Sequence, residues 1–511
     1  MIIGTTTTFP LPPSYTGIQK LQDQFSQLQA QLATGKKAST LADMGANRYT
    51  DLTVRSQLSR LGAYDNNITT VNLRINTLNQ VLTSLSTVNS TARTSSTAGA
   101  YGTNNVNMAT APTTAQNRLD QVLSTLNTDI NGHYLVGGGA TDHAPVVSSS
   151  AALDGANGLD GFKTVAAQRL QADQGANGLG RLTLSTATDT VTLAEDGVHP
   201  FGFKLSTLSS TNSSLTLTQP SGSPASLAVQ FSSQPNNGDQ LTVGLTLPDG
   251  TADNLTMKAV TGTPANPGEY QIGATTSATA ANFSAALNSS LSTEGQTTLA
   301  VASNYAAANN FFNGQGASVQ RVAIDTGTNS YYAATAYETS AQTVATTVQW
   351  YSGQDSNGTA RASVSSKVDD ATNVNYGVEA SEYGFAQLVR NLAVQSIQTY
   401  ATGTNAQTLQ SQQKYDAVAS GQLTNLSASK DSTPGSIAAI GVDLGLAQTT
   451  LSNLTSQHKA YTAQLQDVLS TAETADPTEV ASALLELQTR LSASYQATSM
   501  ISQLQLVNYL K

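Results

Sequence analysis

The feature that most constrains this chain is a three-four spacing of apolar residues that occupies both of its ends and gives way to another rhythm between them. Ile18, Leu21, Phe25, Leu28 and Leu32 fall on one stripe of a helix, the pattern of a coiled-coil seam. That helix should stop at Thr34-Gly35, because glycine is favoured just past a helix terminus. Leu61, Tyr64, Ile68, Val71, Ile75, Leu78, Leu82 and Leu85 carry the rhythm through a long second helix, and Leu119, Leu123, Leu126 and Ile130 through a shorter third. At the other end Leu451, Leu454, His458, Tyr461, Leu465 and Val468 share a stripe. Asp476, Pro477 and Glu479 then read as the N-cap, first helical residue and returning carboxylate of a capping box. They open a last helix whose seam is Val480, Leu484, Leu487 and Leu491, and the chain closes on the mostly apolar LQLVNYLK. His458 has no histidine or carboxylate three or four residues away, so it is expected as a core-edge residue and not as a ligand.

Between about residues 145 and 365 apolar and polar residues alternate instead, in LTLST (182–186), LTLT (215–218), QLTVGLTL (240–247) and NLTMKAV (254–260). PDG at 248–250 supplies a hairpin turn between the last two. One amphipathic helix interrupts at 278–292, with Phe283, Leu287 and Leu291 on one face. QWYSG (349–353) and ARASVSSKV (360–368) suggest a final hairpin before helix resumes near Ala380. The expected fold class is therefore α+β: a long antiparallel coiled-coil helical rod made of both chain ends, with an inserted β-rich head domain. The terminal helices can pair only if the middle loops out as a unit.

Composition narrows the function. Charged residues are 11% of the chain, against about 25% in an ordinary globular domain. A net charge of -10 with no Lys/Arg cluster repels phosphate, so no nucleic-acid partner and no anionic membrane surface is expected. Without cysteine there is no disulfide, thiolate metal site or cysteine nucleophile. The N-terminus MIIGTTTTFPLPPSY shows no basic segment followed by an apolar run, and no apolar stretch is long enough to span a bilayer, so neither a secretory signal nor membrane insertion is expected. Asp239, Asp249 and Asp253 are spaced like hairpin surface residues with no accompanying base or nucleophile, which argues against an enzyme. Around the seams stand Gln22, Gln24, Gln27, Gln29, Gln31, Gln457, Gln464 and Gln466, where soluble coiled coils usually carry Glu and Lys. Uncharged amides can be buried against a neighbour without the several kcal/mol that burying an ion costs.

The stretch NGHYLVGGGATDHAPV, residues 131–146, admits a phosphate loop through its glycines, a metal site through His133 and His143, or a plain connector. A phosphate loop needs the glycines to lead into a helix with a lysine after them, and VVSSSAALDG supplies neither. The two histidines have no third ligand nearby, so no cofactor and no metal is expected.

LQDQFSQLQAQLATGKKASTLADMGANRYTDL, residues 21–52, resembles the N-terminal signature of the bacterial flagellin family, which includes filament flagellins and the hook-filament junction protein. Thr34, Gly35, Lys36, Ala42 and Asp43 match its Ser/Thr-Gly-Lys turn and Ala/Ser-Asp step, whereas Met44 and Gly45 depart from the acidic residue and proline that often follow. Gly132, Tyr134, Leu135, Gly138, Thr141 and Pro145 look like the segment that leaves the third helix of the junction protein. On that likeness Gly132, Tyr134, Gly137 and Gly138 form a rod-to-head connector, the glycines taking positive φ where the turn needs it. The resemblance covers roughly residues 15–145 and 375–511.

The resemblance implies a disordered segment 1–17, an N-terminal helical rod 18–135, a β-rich variable head 136–370 and a C-terminal helical rod with an apolar tail 371–511. It implies a secreted, extracellular structural subunit that assembles through terminal segments ordered by their neighbours. Its partners would be copies of itself, the other flagellar axial proteins (hook, junction, filament and cap) and an export chaperone of the type III apparatus. The GHYLVGGG segment and the NYL ending favour the junction protein, with the filament flagellin as the alternative. A surface adhesin on a coiled-coil stalk ranks below both, since it should carry a signal or an anchor.

Overall fold

In the computed structural model the described residues are 13–95, 97–313, 319–338, 346–356 and 358–509. Most of the expected disordered segment 1–17 lies outside them, as do the side chains of the closing LQLVNYLK. The first helix, α1, spans Pro13–Thr34 and so begins before residue 18, where the sequence placed the start of the rod. Two compact units are distinguished, one built from residues 1–71, 367–373 and 449–511, the other from 72–366 and 374–448.

The first unit holds α1, the opening turns of α2 (Asn47–Ser95), the closing turns of α10 (Ile437–Glu473) and α11 (Pro477–Tyr509). Gly35 has φ +67° and ends α1 as expected. The chain then bonds back onto the break between the last two helices: the Lys37 N–H donates to the Glu473 carbonyl (2.7 Å) and the Ala475 N–H to the Gly35 carbonyl (2.9 Å). Asp476 caps α11 by accepting from the Thr478 N–H at 2.8 Å. Those N–H groups hold its carboxyl below the usual carboxylate range. Of the expected capping box only this Asp476 half is among the described bonds.

In the second unit Ile75, Leu78, Leu82, Leu85 and Val88 of α2 are buried, and α3 (Val106–Leu126) packs on α8 (Tyr383–Ser396). A hairpin of β1 (Asp129–Ile130) and β2 (His133–Tyr134) follows α3 directly. After the short α4 (Ser149–Asp154) and the two-residue strands β3 (Gly155–Ala156) and β4 (Leu159–Asp160) comes α5 (Phe162–Gln174). Next come two four-stranded sheets. One runs β5 (Leu182–Ala187), β6 (Thr190–Glu195), β9 (Ser226–Gln230), β8 (Thr216–Ser221), and the other β12 (Glu269–Gln271), β11 (Ala252–Val260), β10 (Gln240–Thr246), β7 (Lys204–Ser210). The PDG turn joins β10 to β11 in antiparallel register from Gln240↔Lys258 to Thr246↔Ala252, with Gly250 at φ +86°.

Strand residues Leu193, Val243 and Met257, with Phe203 just before β7 and Phe231 just after β9, share one core with Phe283, Leu287 and Leu291 of α6 (Thr276–Gln296). Each such side chain contributes about 1.5–3 kcal/mol by leaving water. The rings of Phe231 and Phe283 sit 5.5 Å apart. The middle of the sequence is less purely β than expected, because α5 and α7 (Thr298–Phe311) lie in it beside α6 and pack on each other. The hairpin expected between 349–353 and 360–368 does not form. Tyr351 bridges to Val146, residues 360–363 make a 3-10 turn, and β13 (Ser365–Lys367) pairs with β14 (Asn373–Asn375). The chain then enters α8, α9 (Asn405–Asn425) and α10.

Threonines are frequent on α2, where branching at Cβ would weaken a helix. Thr69, Thr70, Thr77, Thr83, Thr87 and Thr91 each donate their hydroxyl to the carbonyl four residues back, so the hydroxyls are satisfied within the helix itself.

Candidate functional site

Two sets of residues carry the expected function: the apolar stripes of the terminal helices and the glycine-bearing segment after α3. Within the first unit Val54, Leu61 and Leu465 form one buried cluster, with Leu58 and Leu469 packed against it. Partner numbers fall along α10 as they rise along α2. Arg55 pairs with Glu473, Tyr461 donates to Gln57 (3.3 Å), and His458 meets Asp65 at 2.8 Å. The same order holds for α1 and α11, where Gln22 donates to Tyr495 at 2.6 Å while the Lys36 and Thr474 backbones bridge.

Ile68, Val71, Ile75, Leu78, Leu82, Leu85, Leu454, Leu465, Leu487 and Leu491 are buried, and Leu21, Phe25, Leu28 and Leu484 are half-buried. Leu32, Tyr461 and Val468 are corrections. They are 48%, 44% and 45% exposed, while Gln31, Thr462 and Leu469 turn further inward at those turns. A straight helix drifts by about 20° per heptad against a strict seven-residue repeat, so a stripe drawn from the repeat leaves the contact face. Gln24, Gln27, Leu28, Gln31, Leu487 and Arg490 line an open groove of about 370 Å³.

Polar anchoring at this seam was not visible in the sequence. Asp51 is buried at 1% exposure and takes both oxygens to Arg55, whose guanidinium also reaches Glu473. The neighbouring Glu473 carboxyl, followed by the Arg55 guanidinium, holds the Asp51 carboxyl below the usual carboxylate range. His458 is buried with its ring tilted against that of Tyr64, and its carboxylate partner Asp65 comes from the facing helix, which a search along its own helix cannot find.

The 131–146 segment is built from tight backbone contacts. Asn131 (φ +54°) and Gly132 (φ +80°) turn the β1–β2 hairpin, both central residues in the left-handed region that a type I′ turn demands. Tyr134 is half-buried, and its N–H donates to the Thr141 carbonyl at 2.9 Å. The glycine amides are committed internally: Gly138 donates to the Val378 carbonyl (2.9 Å) and Gly139 to the Gln354 side chain (2.9 Å). At Gly137 a Cβ would stand 2.3 Å from the Ala140 carbonyl oxygen. Gly138, at φ +62°, would place one 3.1 Å from both Gln354 and Glu379. The segment therefore lies against the 350s and the strand-like 376–380 run, with no cradle of free amides at Gly138 and Gly139.

His133 and His143 are both exposed. His143 lies 2.7 Å from Asp142 and 3.2 Å from the Ser352 carbonyl, and that carbonyl, then Asp142, raises its pKa above the ordinary histidine value. Among the described residues no group of three His, Asp or Glu side chains is placed to hold a metal ion, and no helix is long and apolar enough to cross a membrane.

A second polar set was also missed. Arg169 pairs with the fully buried Asp173 at 2.7 Å on α5, and Asp173 accepts from the Gly202 N–H at 2.8 Å. Arg321 binds Asp160 at 2.8 Å and Gln168.

A search of curated proteins returned no match to this chain. A family model described as the bacterial flagellin N-terminal helical region matches residues 13–141, which takes in α1, α2, α3 and most of the glycine segment just described. Over that region the chain is similar to the bacterial flagellin family.

Proposed function

We propose that this protein is a structural subunit of the bacterial flagellum, placed at the hook-filament junction and self-assembling through its terminal helices for motility. On this reading residues 18–135 and 371–511 make one coiled-coil rod, residues 136–370 the inserted head, and Gly132, Tyr134, Gly137 and Gly138 the connector between them. Its partners are copies of itself and the neighbouring hook, filament and cap proteins. It reaches the cell exterior through the type III export route with a chaperone.

The observation that carries the proposal is the pairing of the two ends of the chain, α1 with α11 and the start of α2 with the end of α10. The faces left over are suited to burial by copies. They are dressed with glutamines and with exposed apolar side chains such as Leu485, Met500 and Ile501. Uncharged amides cost far less than ions to bury.

Immunogold labelling of isolated flagella tests the assignment. A band at the hook end is expected. Label along the whole length would overturn the junction assignment and make the chain the filament flagellin, the second reading, which the same paired ends support equally.

A further inference from the structure

We propose that the open pocket between the end of α6, the loop after α8 and one face of α9 is a binding site for a small oxyanion, with Lys414 as the counter-charge. The pocket measures about 330 Å³, and Gln296, Thr399, Tyr400, Gln407, Gln410 and Lys414 line it. No carboxylate is among its lining residues, although acidic residues outnumber basic ones by 33 to 23 in the whole chain.

Lys414 is half-buried on α9. Burial, with no carboxylate close enough to offset it, pushes its ammonium below the ordinary lysine range. A cation withdrawn from water without a partner is unfavourable, and a bound anion removes that penalty. The rest of the wall offers donors. Gln410 donates to the Gln296 side-chain oxygen at 3.2 Å, and the Gln407 oxygen accepts from the Thr404 N–H at 3.0 Å. Both Gln296 and Gln407 thus spend their oxygen within the protein and keep an NH2 to donate. The Tyr400 hydroxyl is shielded from solvent and stands behind this wall, so Tyr400 contributes its ring and not a donor. One ammonium and two amide NH2 groups around a small space match the acceptor-only surface of a sulfate, phosphate or carboxylate.

Isothermal titration of the full-length protein with sodium sulfate, at ionic strength matched with sodium chloride, tests the site. Saturable binding at one site per chain is expected, at least tenfold weaker in Lys414→Met and within about threefold of wild type in Lys414→Arg. Acetate and phosphate, titrated alone and in competition with sulfate, should displace it from the same site. Gln407→Ala is the second variant should Lys414→Met lose its helical circular dichroism, and it should weaken binding several-fold. Absence of saturable heat with all three anions, or equal affinity in Lys414→Met and wild type, overturns the proposal.

Discussion

Alanine substitutions at three glycines of the 131–146 segment should separate backbone conformation from close approach. At Gly132 the backbone is left-handed (φ +80°) but nothing lies within 4 Å of an added Cβ. Gly132→Ala therefore costs the conformational penalty alone, about 1 kcal/mol. Gly137 has the opposite problem. Its backbone needs no left-handed φ, yet a Cβ would lie 2.3 Å from the Ala140 oxygen, a backbone atom that cannot swing aside. The 137–140 turn would have to open, weakening the Ala140 N–H bond to the Gly137 carbonyl (3.2 Å) and the bond from the Gln354 N–H to that same carbonyl (3.0 Å). Overpacking of about 1–3 kcal/mol and roughly 1 kcal/mol for a weakened bond give ~2–4 kcal/mol. Gly138 combines a φ of +62° with contacts at 3.1 Å to Gln354 and Glu379. Gly138→Ala should cost ~2–3 kcal/mol. Urea unfolding followed by fluorescence reads these values locally. The protein has one tryptophan, Trp350, which is buried and accepts from the Val147 N–H at 3.0 Å beside this segment. If Gly132→Ala proved as destabilising as the other two, the close contacts drawn for Gly137 and Gly138 would be refuted.

Leu78 is 2% exposed, and Leu78→Asp should abolish helicity by circular dichroism, removing a buried leucine and burying an unpaired carboxylate at a combined cost above ~4 kcal/mol. Gln27→Asp, in the open α1–α11 groove, should keep the helicity and impair sedimentable assembly, and equal helix loss in both variants would remove the distinction. Arg169→Met strands the fully buried Asp173 and should lower stability by ~3–5 kcal/mol in a urea titration, more than Arg169→Met with Asp173→Leu together. Asp51 and Asp476 both have carboxyl pKa values lowered by folding, so their stabilisation is present above the ordinary carboxylate pKa and is lost as pH falls through the lowered values. Asp51→Asn should accordingly flatten the acid limb of a helicity-against-pH curve, and an unchanged limb would show that the Asp51 carboxylate does not report on folding.

The helices at the chain ends were legible because each presents one apolar stripe against a polar remainder, and Gly35 and Asp476-Pro477 mark their limits by their own backbone chemistry. Helix α7 was not legible. Leu299, Ala300, Val301, Ala302 and Tyr305 are all buried, so it has no polar face to set a period. Helix α5 hid for the reverse reason, since Arg169 and Asp173 look like a solvated face and are instead buried as an i, i+4 pair. The strands around PDG were read from alternation, but the pairing of 349–353 with the 144–147 run depends on contacts some two hundred positions away, and no local signal carries it. In the 131–146 segment the turn at Asn131-Gly132 follows from residue type, whereas the constraint on Gly137 comes from the Ala140 oxygen, which only the folded turn brings near.

The threonine hydroxyls of α2, bound to their own helix, carry a consequence for conditions outside a cell. A surface of uncharged amides and internally satisfied hydroxyls has little Coulomb energy for mobile ions to screen. Contacts made through it should hold in fresh water and in brine alike, whereas a seam laced with Glu and Lys would tighten in the one and loosen in the other.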